Sequence, residues 1–289
     1  MTSAFLPSDA ATIQHAHGTE VSAVDTHAHI FARGLPLATV RRYSPDYDVT
    51  VEEYLARLDA HDLSHGVLVQ PSFLGSDNSY MTAALRAYPQ RLRGIAMVDA
   101  DISQEQLQKL GDAGVVGIRF NLVGGAELPD FSSASWRRVL SSVQQRGWQV
   151  EIHREARDLP LILPALLDAG VNVVIDHFGR PDPEQGIDDA GFRYLLECGQ
   201  TRRVWVKLSA AYRNGGVNRG NHIATAAVPL LQQAFGLGRL LWGSDWPHTQ
   251  HERLTHYAQE FGQLCNLLPD IAQRQQVLAV AAADLYQFG

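Results

Sequence analysis

The chain has 289 residues, of which 45% are hydrophobic and 19% are charged. This composition excludes a disordered chain, because disorder needs low hydrophobicity and high net charge. The 24 basic and 31 acidic side chains give a net charge of −7, which argues against a nucleic-acid-binding surface. The two cysteines, Cys198 and Cys265, are too few for a disulfide framework or a cysteine zinc site.

Residues 1–20 are polar, and we expect them to form a lead-in that precedes the folded domain. The first basic side chain is Arg33 and no continuous apolar segment precedes it, so the sequence predicts no secretion signal. No apolar segment approaches the roughly 18 residues of a membrane span. Together with the cysteine content, this predicts a cytoplasmic protein that does not bind membranes.

From residue 21 onwards, short apolar segments rich in β-branched residues alternate with segments of helical patterning. The predicted strands are Val21–Thr26, Gly66–Gln70, Gly94–Val98, Val116–Phe120, Trp148–Ile152, Asn172–Asp176, Val204–Leu208 and Leu240–Trp242. The predicted helices include Val51–His61, Ser79–Tyr88, Ser103–Asp112, Ser133–Arg146, Leu159–Ala169 and Ile223–Phe235. This alternation predicts βαβ units and a parallel sheet.

The number of strands and the length favour a barrel over an open sheet. Eight β/α units in roughly 265 residues match the (β/α)8 barrel, which typically has about 250 residues. An open doubly wound sheet is the alternative, but it needs a glycine-rich phosphate turn after the first strand. The segment Asp25-Thr26-His27-Ala28-His29 stands there instead. Residues 21–289 are therefore predicted to form one α/β domain, a single (β/α)8 TIM barrel.

Polar side chains recur where the predicted strands end, which is where such barrels carry their catalytic groups. They are His27 and His29 on the first strand, Arg119 on the fourth, His153 on the fifth, His177 on the sixth and Asp245 on the eighth. His27 and His29 are two positions apart, so they point to the same side of a strand. Imidazole and carboxylate groups are zinc ligands, and the pattern therefore predicts a metal site at the barrel mouth. A surface or core histidine pair is the alternative for His27 and His29 alone.

Five motifs make the chain resemble the amidohydrolase superfamily, in its branch of small lactone hydrolases. They are Val24-Asp25-Thr26-His27-Ala28-His29, Val69-Gln70-Pro71-Ser72, Gly117-Ile118-Arg119-Phe120-Asn121, Ile175-Asp176-His177-Phe178-Gly179-Arg180-Pro181-Asp182 and Trp242-Gly243-Ser244-Asp245-Trp246-Pro247-His248. The last two are specific when they occur together in this order. The resemblance covers nearly the whole chain from Val21, and it implies a barrel enzyme that hydrolyses lactones.

The resemblance also implies a metal site. In single-metal members, the ion is held by the first-strand pair, the fifth-strand histidine and the eighth-strand aspartate. By position, one divalent ion, expected to be Zn²⁺, would bind to His27, His29, His153 and Asp245. The fourth strand has Arg119 and Asn121 in place of the bridging lysine or glutamate of two-metal members. The pyrone dicarboxylate lactonases of this branch are thought to work without a metal and have tyrosine where this chain has His153.

The expected roles follow from the chemistry of each group. Asp245 is expected to be the general base toward water, and His177 to stabilise the oxyanion. Arg119 is expected to bind a substrate carboxylate, because guanidinium matches carboxylate with two hydrogen bonds. The resemblance adds further substrate-binding residues, namely Tyr43, Ser72, Arg180 and Arg213, and His248 is close enough to Asp245 to join them. The simpler alternatives are a turn-capping Asp245, a core His177 paired with Asp176, and an Arg180 that only fixes its loop.

The leading interpretation is a hydrolase that opens a carboxylate-bearing lactone or pyrone ring with an activated water. A zinc-dependent non-oxidative decarboxylase, a sugar-lactone isomerase and a barrel that binds a small acid without turnover are the alternatives. A pure binding protein needs no general base, which favours an enzyme. The pyrone lactonases use a second arginine after the fourth strand, and residues 121–127 contain none, so their dicarboxylate is not the expected substrate. The expected partner is a small carboxylated lactone, and a homo-oligomer is compatible with the sequence.

Overall fold

The computed structural model describes residues 21–288, so the predicted lead-in at residues 1–20 lies outside the described residues. Eight parallel strands form one sheet in the order in which they occur in the chain. They are β1 Val24–Ala28, β2 His65–Val69, β3 Leu92–Ala96, β4 Val115–Asn121, β5 Gln149–His153, β6 Asn172–Ile175, β7 Val204–Ser209 and β8 Leu240–Gly243. With helices between the strands, this confirms the predicted (β/α)8 barrel.

The two ends of the sheet meet just beyond β8. Ala28 forms a parallel bridge with Trp246, and the backbone N–H of His29 donates to the carbonyl of Trp246 at 2.8 Å. The N–H of Asp245 donates to the carbonyl of His27 at 2.8 Å. A side chain at Gly243 would collide with His27, so only glycine lets β1 approach this closely. Closure therefore brings Asp245 beside the first-strand histidines.

Ten helices connect and follow the strands within the described residues. They are α1 Val51–Asp59, α2 Ser79–Ala87, α3 Gln104–Asp112, α4 Ala134–Gln145, α5 Leu159–Asp168, α6 Ala190–Glu197, α7 Val217–Phe235, α8 Tyr257–Leu267, α9 Ile271–Gln275 and α10 Ala281–Leu285. Helix α1 begins with a capping box: Thr50 Oγ1 accepts from the N–H of Glu53, and the Glu53 carboxylate accepts from the N–H of Thr50. The predicted helices are confirmed in order and approximate extent.

Several boundaries differ from the predicted ones, among them the end of β1 and the start of α7. Strand β1 runs through Ala28, two residues beyond the predicted end, because parallel pairing with β2 compensates for the polar side chains that interrupt the apolar pattern. Helix α7 begins at Val217 and not at Ile223, since its first two turns are mostly polar and lack apolar periodicity. Neither difference moves a predicted site residue away from the carboxyl ends of the strands.

Candidate active site

Three imidazole rings converge on one carboxylate oxygen at the carboxyl ends of β1, β6 and β8. The Nε2 atoms of His27 and His29 each lie 3.7 Å from Asp245 Oδ1, and His177 Nε2 lies 3.9 Å from it. The rings of His27 and His29 are 5.0 Å apart. All four side chains are buried. The structure thus brings together four residues that the sequence singled out from three separate segments.

For His29 and His177, the partner of Nδ1 decides what Nε2 can do. His29 Nδ1 lies 2.7 Å from the Val69 carbonyl oxygen, which only accepts, so Nδ1 carries a proton and Nε2 has the lone pair in the neutral form of the ring. His177 Nδ1 lies 2.8 Å from the Ser209 hydroxyl. When that hydroxyl donates, His177 Nε2 carries a proton that it can offer to a substrate oxygen. Burial lowers the pKa of His177 to about 3, so the ring is neutral near pH 7.

A buried network of two cations and two carboxylates lies beneath His27. Lys207 Nζ donates to Glu151 Oε2 at 2.5 Å and lies 3.0 Å from His27 Nδ1. Arg119 Nη2 donates to Asp176 Oδ2 at 2.9 Å, and Arg119 Nε lies 3.3 Å from Glu151 Oε1. The four side chains are at most 1% exposed, and each charge needs its partner because an unpaired buried charge is costly. Sequence reasoning missed Lys207 and Glu151, although a charged residue inside an apolar strand was an available signal.

This network gives His27 two accessible tautomers. Lys207 only donates, so its contact favours a proton on His27 Nε2. Asp176 Oδ1 and Glu151 Oε1 each lie 3.4 Å from Nδ1, and neither has a hydrogen-bond partner among the described residues. If Nδ1 donates to one of them, Nε2 presents a lone pair. Burial and the Lys207 charge hold the pKa of His27 well below its usual range, so the ring is neutral in both cases.

Three of the four predicted metal ligands fit an ion. Ligand atoms of His27, His29 and Asp245 lie within 4.8 Å of one another. The lone pair of His29 Nε2 and the Asp245 carboxylate face each other, and a cation or a donating water between them would satisfy both. His153 does not join this group: Arg119 Nη2 lies 3.2 Å from His153 Nδ1 and only donates, so a neutral His153 carries its proton on Nε2. The predicted fourth ligand is thus presented as a hydrogen-bond donor.

Asp245 is held as a carboxylate by two donors to one of its oxygens. Arg213 Nε donates to Oδ2 at 2.7 Å, and the Tyr212 hydroxyl donates to the same oxygen. Burial alone would raise the pKa of Asp245, but the charge of Arg213 and the nearby His177 outweigh it and hold that pKa well below its usual range. The other oxygen, Oδ1, stays directed toward the imidazoles. The site therefore contains an ionised carboxylate with one oxygen directed toward the imidazoles.

Left-handed backbone conformations aim three of the side chains at the mouth. The φ angles are 58° at Asp245, 53° at His177 and 53° at Arg180. Non-glycine residues rarely adopt such angles, and the strain persists only where the surrounding structure holds it. Here the Arg180 N–H donates to the His177 carbonyl at 3.1 Å, and Asp245 is held by its backbone bond to β1. A local backbone bond thus holds the loop after β6, and the barrel closure holds Asp245.

A cavity of about 280 Å³ opens above the histidine cluster. Its walls include the predicted site residues His29, Tyr43, Ser72, Arg119, His153, His177, Arg180, Arg213 and Asp245. His248 is not one of its lining residues, because its Nδ1 lies 3.3 Å from the Tyr212 hydroxyl, behind Asp245. Burial lowers the pKa of His248 to about 4. The geometry gives no support to His248 as a substrate contact.

The arginines of this cavity differ in whether a carboxylate already neutralises them. Arg119 and Arg213 each pair with buried carboxylates of the protein. Arg119 is therefore less suited to anchor a substrate than its sequence position suggested. Arg180 is half-buried, its Nε has no hydrogen-bond partner, and no carboxylate of residues 21–288 lies within 4.0 Å of its guanidinium nitrogens. Burial and then Arg213 lower the pKa of Arg180 to about 10. An anionic ligand group would satisfy it.

An eight-stranded barrel with histidines and an aspartate at its mouth is the arrangement of a metal-dependent or water-activating hydrolase. The chain belongs to the amidohydrolase family, whose sequence pattern matches residues 24–288. It is 34% identical over 274 residues, or 89% of its length, to a 2-pyrone-4,6-dicarboxylate hydrolase from Comamonas testosteroni, of which the match covers 87%.

Two further similarities extend over most of the chain. A 4-sulfomuconolactone hydrolase from Hydrogenophaga intermedia is 29% identical over 270 residues, covering 91% of this chain and 88% of that protein. The crystal structure of a candidate 2-pyrone-4,6-dicarboxylic acid hydrolase from Pseudomonas putida superposes with a TM-score of 0.87. It is 44% identical and covers 93% of this chain and 98% of that one. The protein is an amidohydrolase-superfamily enzyme whose relatives hydrolyse lactones. Among residues 21–288, no helix is both long and apolar enough to cross a membrane.

Proposed function

We propose that the protein hydrolyses a lactone or pyrone ring that bears a carboxylate, with Asp245 as the general base. The observation that carries this proposal is Oδ1 of an ionised Asp245, which faces three imidazoles in a cavity where Arg180 has no carboxylate partner among residues 21–288. The named activities of its relatives on lactones support the same reaction.

The reaction needs one water and one base. The water oxygen attacks the lactone carbonyl carbon while Asp245 Oδ1 takes a proton from that water. His177 Nε2–H donates to the carbonyl oxygen as it becomes an oxyanion, which is a contribution of about 3–4 kcal/mol for one well-placed donor. The carbon–oxygen bond of the ring then breaks, and the proton held by Asp245 passes to the departing oxygen. The product is the open-chain acid.

His29 and Asp245 also suit the attacking water before the reaction. Both present acceptors 3.7 Å apart, so a water between them can donate one hydrogen to each. That water would have its oxygen lone pairs directed away from the two acceptors, toward the cavity. Ser72 and Tyr43, which line the same cavity, are proposed to contact the substrate. Arg180 is proposed to bind its carboxylate.

One divalent ion, with Zn²⁺ as the expected metal, would be held by His27 Nε2, His29 Nε2 and Asp245 Oδ1. When bound there, it supplies Lewis-acid polarisation of the carbonyl and lowers the pKa of a bound water. Ion binding requires the His27 tautomer in which Nδ1 donates to Asp176 or Glu151. His153 is proposed to act as a donor toward the cavity.

A panel of carboxylated lactones and aromatic acids, assayed with purified protein before and after chelation, tests the proposal. Acid release with loss of ring absorbance is expected for at least one carboxylated lactone, with metal content measured in the same sample. Release of CO₂, or interconversion of lactones without uptake of water, would refute hydrolysis and indicate a decarboxylase or an isomerase.

We also propose that the protein is cytoplasmic, and its two free cysteines support this location.

A further inference from the structure

Arg42 is the one arginine of the cavity that does not follow a strand. It lies on the loop between β1 and α1, and its guanidinium lines the same cavity as Arg180. No carboxylate of residues 21–288 lies within 4.0 Å of its nitrogens, although the arginines on β4 and after β7 both have such partners. Its charge is therefore available to a ligand.

The position of Arg42 is fixed by the loop that follows β4. Its Nη2 donates to Asn121 Oδ1 at 3.1 Å. Its Cδ lies 3.5 Å from the point that a Cβ of Gly124 would occupy, so the guanidinium stem lies against glycine backbone. Gly124 has a φ of 76°, which favours glycine at this position. Arg42 thus places a cation beside the end of β4. Residues 121–127, which follow that strand, contain no arginine.

The loop that carries Arg42 is tied to its surroundings on both sides of that residue. The Ala38 N–H donates to the carbonyl of Phe73 at 2.8 Å. The Tyr47 hydroxyl donates to Glu252 Oε1 at 2.5 Å, and the Tyr43 hydroxyl donates to the same oxygen at 3.2 Å. A guanidinium on a tethered loop loses less conformational entropy when a ligand binds.

The electrostatics of the cavity favour a ligand with two negative charges. Burial and the charges of Arg119 and Arg213 lower the pKa of Arg42. Two guanidiniums without carboxylate partners, Arg42 and Arg180, line one cavity of about 280 Å³. Their mutual repulsion is relieved when anionic groups neutralise both. A ligand with one carboxylate can neutralise only one of them unless it bridges the two.

We propose that Arg42 is a specificity-determining residue that binds a second carboxylate of the lactone, separate from the one that Arg180 binds. This inference rests on the proposed function, because it adds a further substrate-binding residue to that same site. Arg42 would then be the second substrate-binding cation beside Arg180. It lies on the β1–α1 loop, and a search for polar residues at the strand ends does not find it.

The test compares Arg42→Gln with the matched control Arg41→Gln. Arg41 is the adjacent arginine of the same loop, and it bonds to Ser44 and to the carbonyl of Ala38 without lining the cavity. Both variants lose one positive charge from an exposed loop position, so a general change in surface charge affects them equally. Circular dichroism and thermal unfolding should be unchanged in both.

The first readout is binding of two probes that cannot be hydrolysed, benzene-1,3-dicarboxylate and benzoate, measured by calorimetry. Arg42→Gln should weaken the dicarboxylate by about 10- to 100-fold, the effect of losing one charge-assisted hydrogen-bond pair. It should change benzoate binding by less than about threefold, and Arg41→Gln should affect neither. Equal weakening of both probes, or no weakening, would overturn the assignment.

The second readout is turnover of 2-pyrone-4,6-dicarboxylate and of the two corresponding monocarboxylates. Arg42→Gln should raise KM for the dicarboxylate by a similar factor and leave kcat within about threefold, since Arg42 contacts the substituent and not the reacting carbonyl. A wild type that opens neither these rings nor any carboxylated lactone of the wider panel would refute the proposed function, while the binding measurement still decides the role of Arg42. Wild-type turnover with unaltered dicarboxylate selectivity in Arg42→Gln would refute the role of Arg42 alone.

Discussion

Asp245→Asn tests the central chemical claim, because asparagine keeps the shape of the side chain and removes its basicity. Oδ2 of Asp245 accepts from two donors, Arg213 Nε and the Tyr212 hydroxyl. In the variant, the amide oxygen should take this position, since an amide nitrogen there would face two donors. The amide nitrogen then replaces Oδ1 opposite the imidazoles of His27 and His29. A donor thus stands where the reaction needs a proton acceptor.

The expected loss follows from that replacement. An amide cannot take a proton from water, and general base catalysis typically contributes about 10²- to 10⁴-fold. The catalytic rate should therefore fall by about that factor, which corresponds to about 3–5 kcal/mol of activation free energy. KM should change little, because Asp245 contacts water and not the substrate carboxylate.

The Asp245→Asn variant should fold, but its free energy of unfolding should be lower than that of the wild type. Arg213 loses its charged partner but keeps one hydrogen bond, and its side chain is 13% exposed, so water can compensate in part. Asp189→Asn is a suitable control because Asp189 is also a buried carboxylate, and it caps α6 by accepting from Gly191 and Phe192. Asparagine caps helices as well as aspartate does, so the cap should be kept. Its amide nitrogen cannot accept from the Asp182 N–H as Asp189 Oδ2 does, so the control should lose some stability and keep its turnover.

Rapid-quench turnover, metal analysis and circular dichroism on one preparation distinguish the two roles of Asp245. A folded variant that retains any bound metal but has lost turnover supports the general base. A variant with near-normal turnover would refute the assignment, and His177 would become the better candidate for proton transfer. Simultaneous loss of metal and turnover would identify ligation as the dominant role of this side chain.

Three further outcomes follow from the contacts around the site. Ser209→Ala removes the hydroxyl at His177 Nδ1 and should lower kcat by about tenfold with KM unchanged; a raised KM with normal kcat would contradict this role. Lys207→Met removes the cation that bonds Glu151 Oε2 and leaves Arg119, 3.3 Å from Oε1, as the cation beside that carboxylate. It should lower the free energy of unfolding in urea by about 3–5 kcal/mol, and adding Glu151→Gln should restore part of this loss; equal stabilities of the single and double variants would contradict this reasoning. Burial lowers the pKa of His248 from about 6.5 to about 4, so this residue destabilises the fold as pH falls below 6.5. His248→Gln should reduce the stability lost between pH 8 and pH 5 by about 2 kcal/mol, and an unchanged loss would refute this explanation.

The histidine cluster was predictable because its placement depends only on local pattern and on barrel closure. His27 and His29 share a strand face by their spacing, and Asp245 follows the strand that must close against β1. Parallel strands place all their carboxyl ends on one side, so the sequence order is enough to gather these side chains. No knowledge of side-chain rotamers is needed for that step.

The pairing of the arginines was not predictable from the same pattern. Arg119 is 57 residues from Asp176, and the two meet only because β4, β5 and β6 are neighbours with a particular register. The sequence shows a guanidinium at a strand end but not the carboxylates that neutralise it. Arg42 was missed because it lies on a loop, where the sequence has no periodicity to indicate that the side chain reaches the site. Its position depends on the hydrogen bond to Asn121.

The tautomer of each imidazole is a further property that only the structure gives. It decides which histidines present a hydrogen-bond donor and which present an acceptor. The carbonyl at His29 Nδ1 makes Nε2 an acceptor, whereas the guanidinium at His153 Nδ1 makes Nε2 a donor. His27 lies between a lysine and two carboxylates, so its tautomer depends on whether a cation or a substrate oxygen faces Nε2. Identical side chains at equivalent strand ends thus serve different roles because their buried partners differ. Replacing one of those partners should change the chemistry of the site without changing any group that touches the substrate.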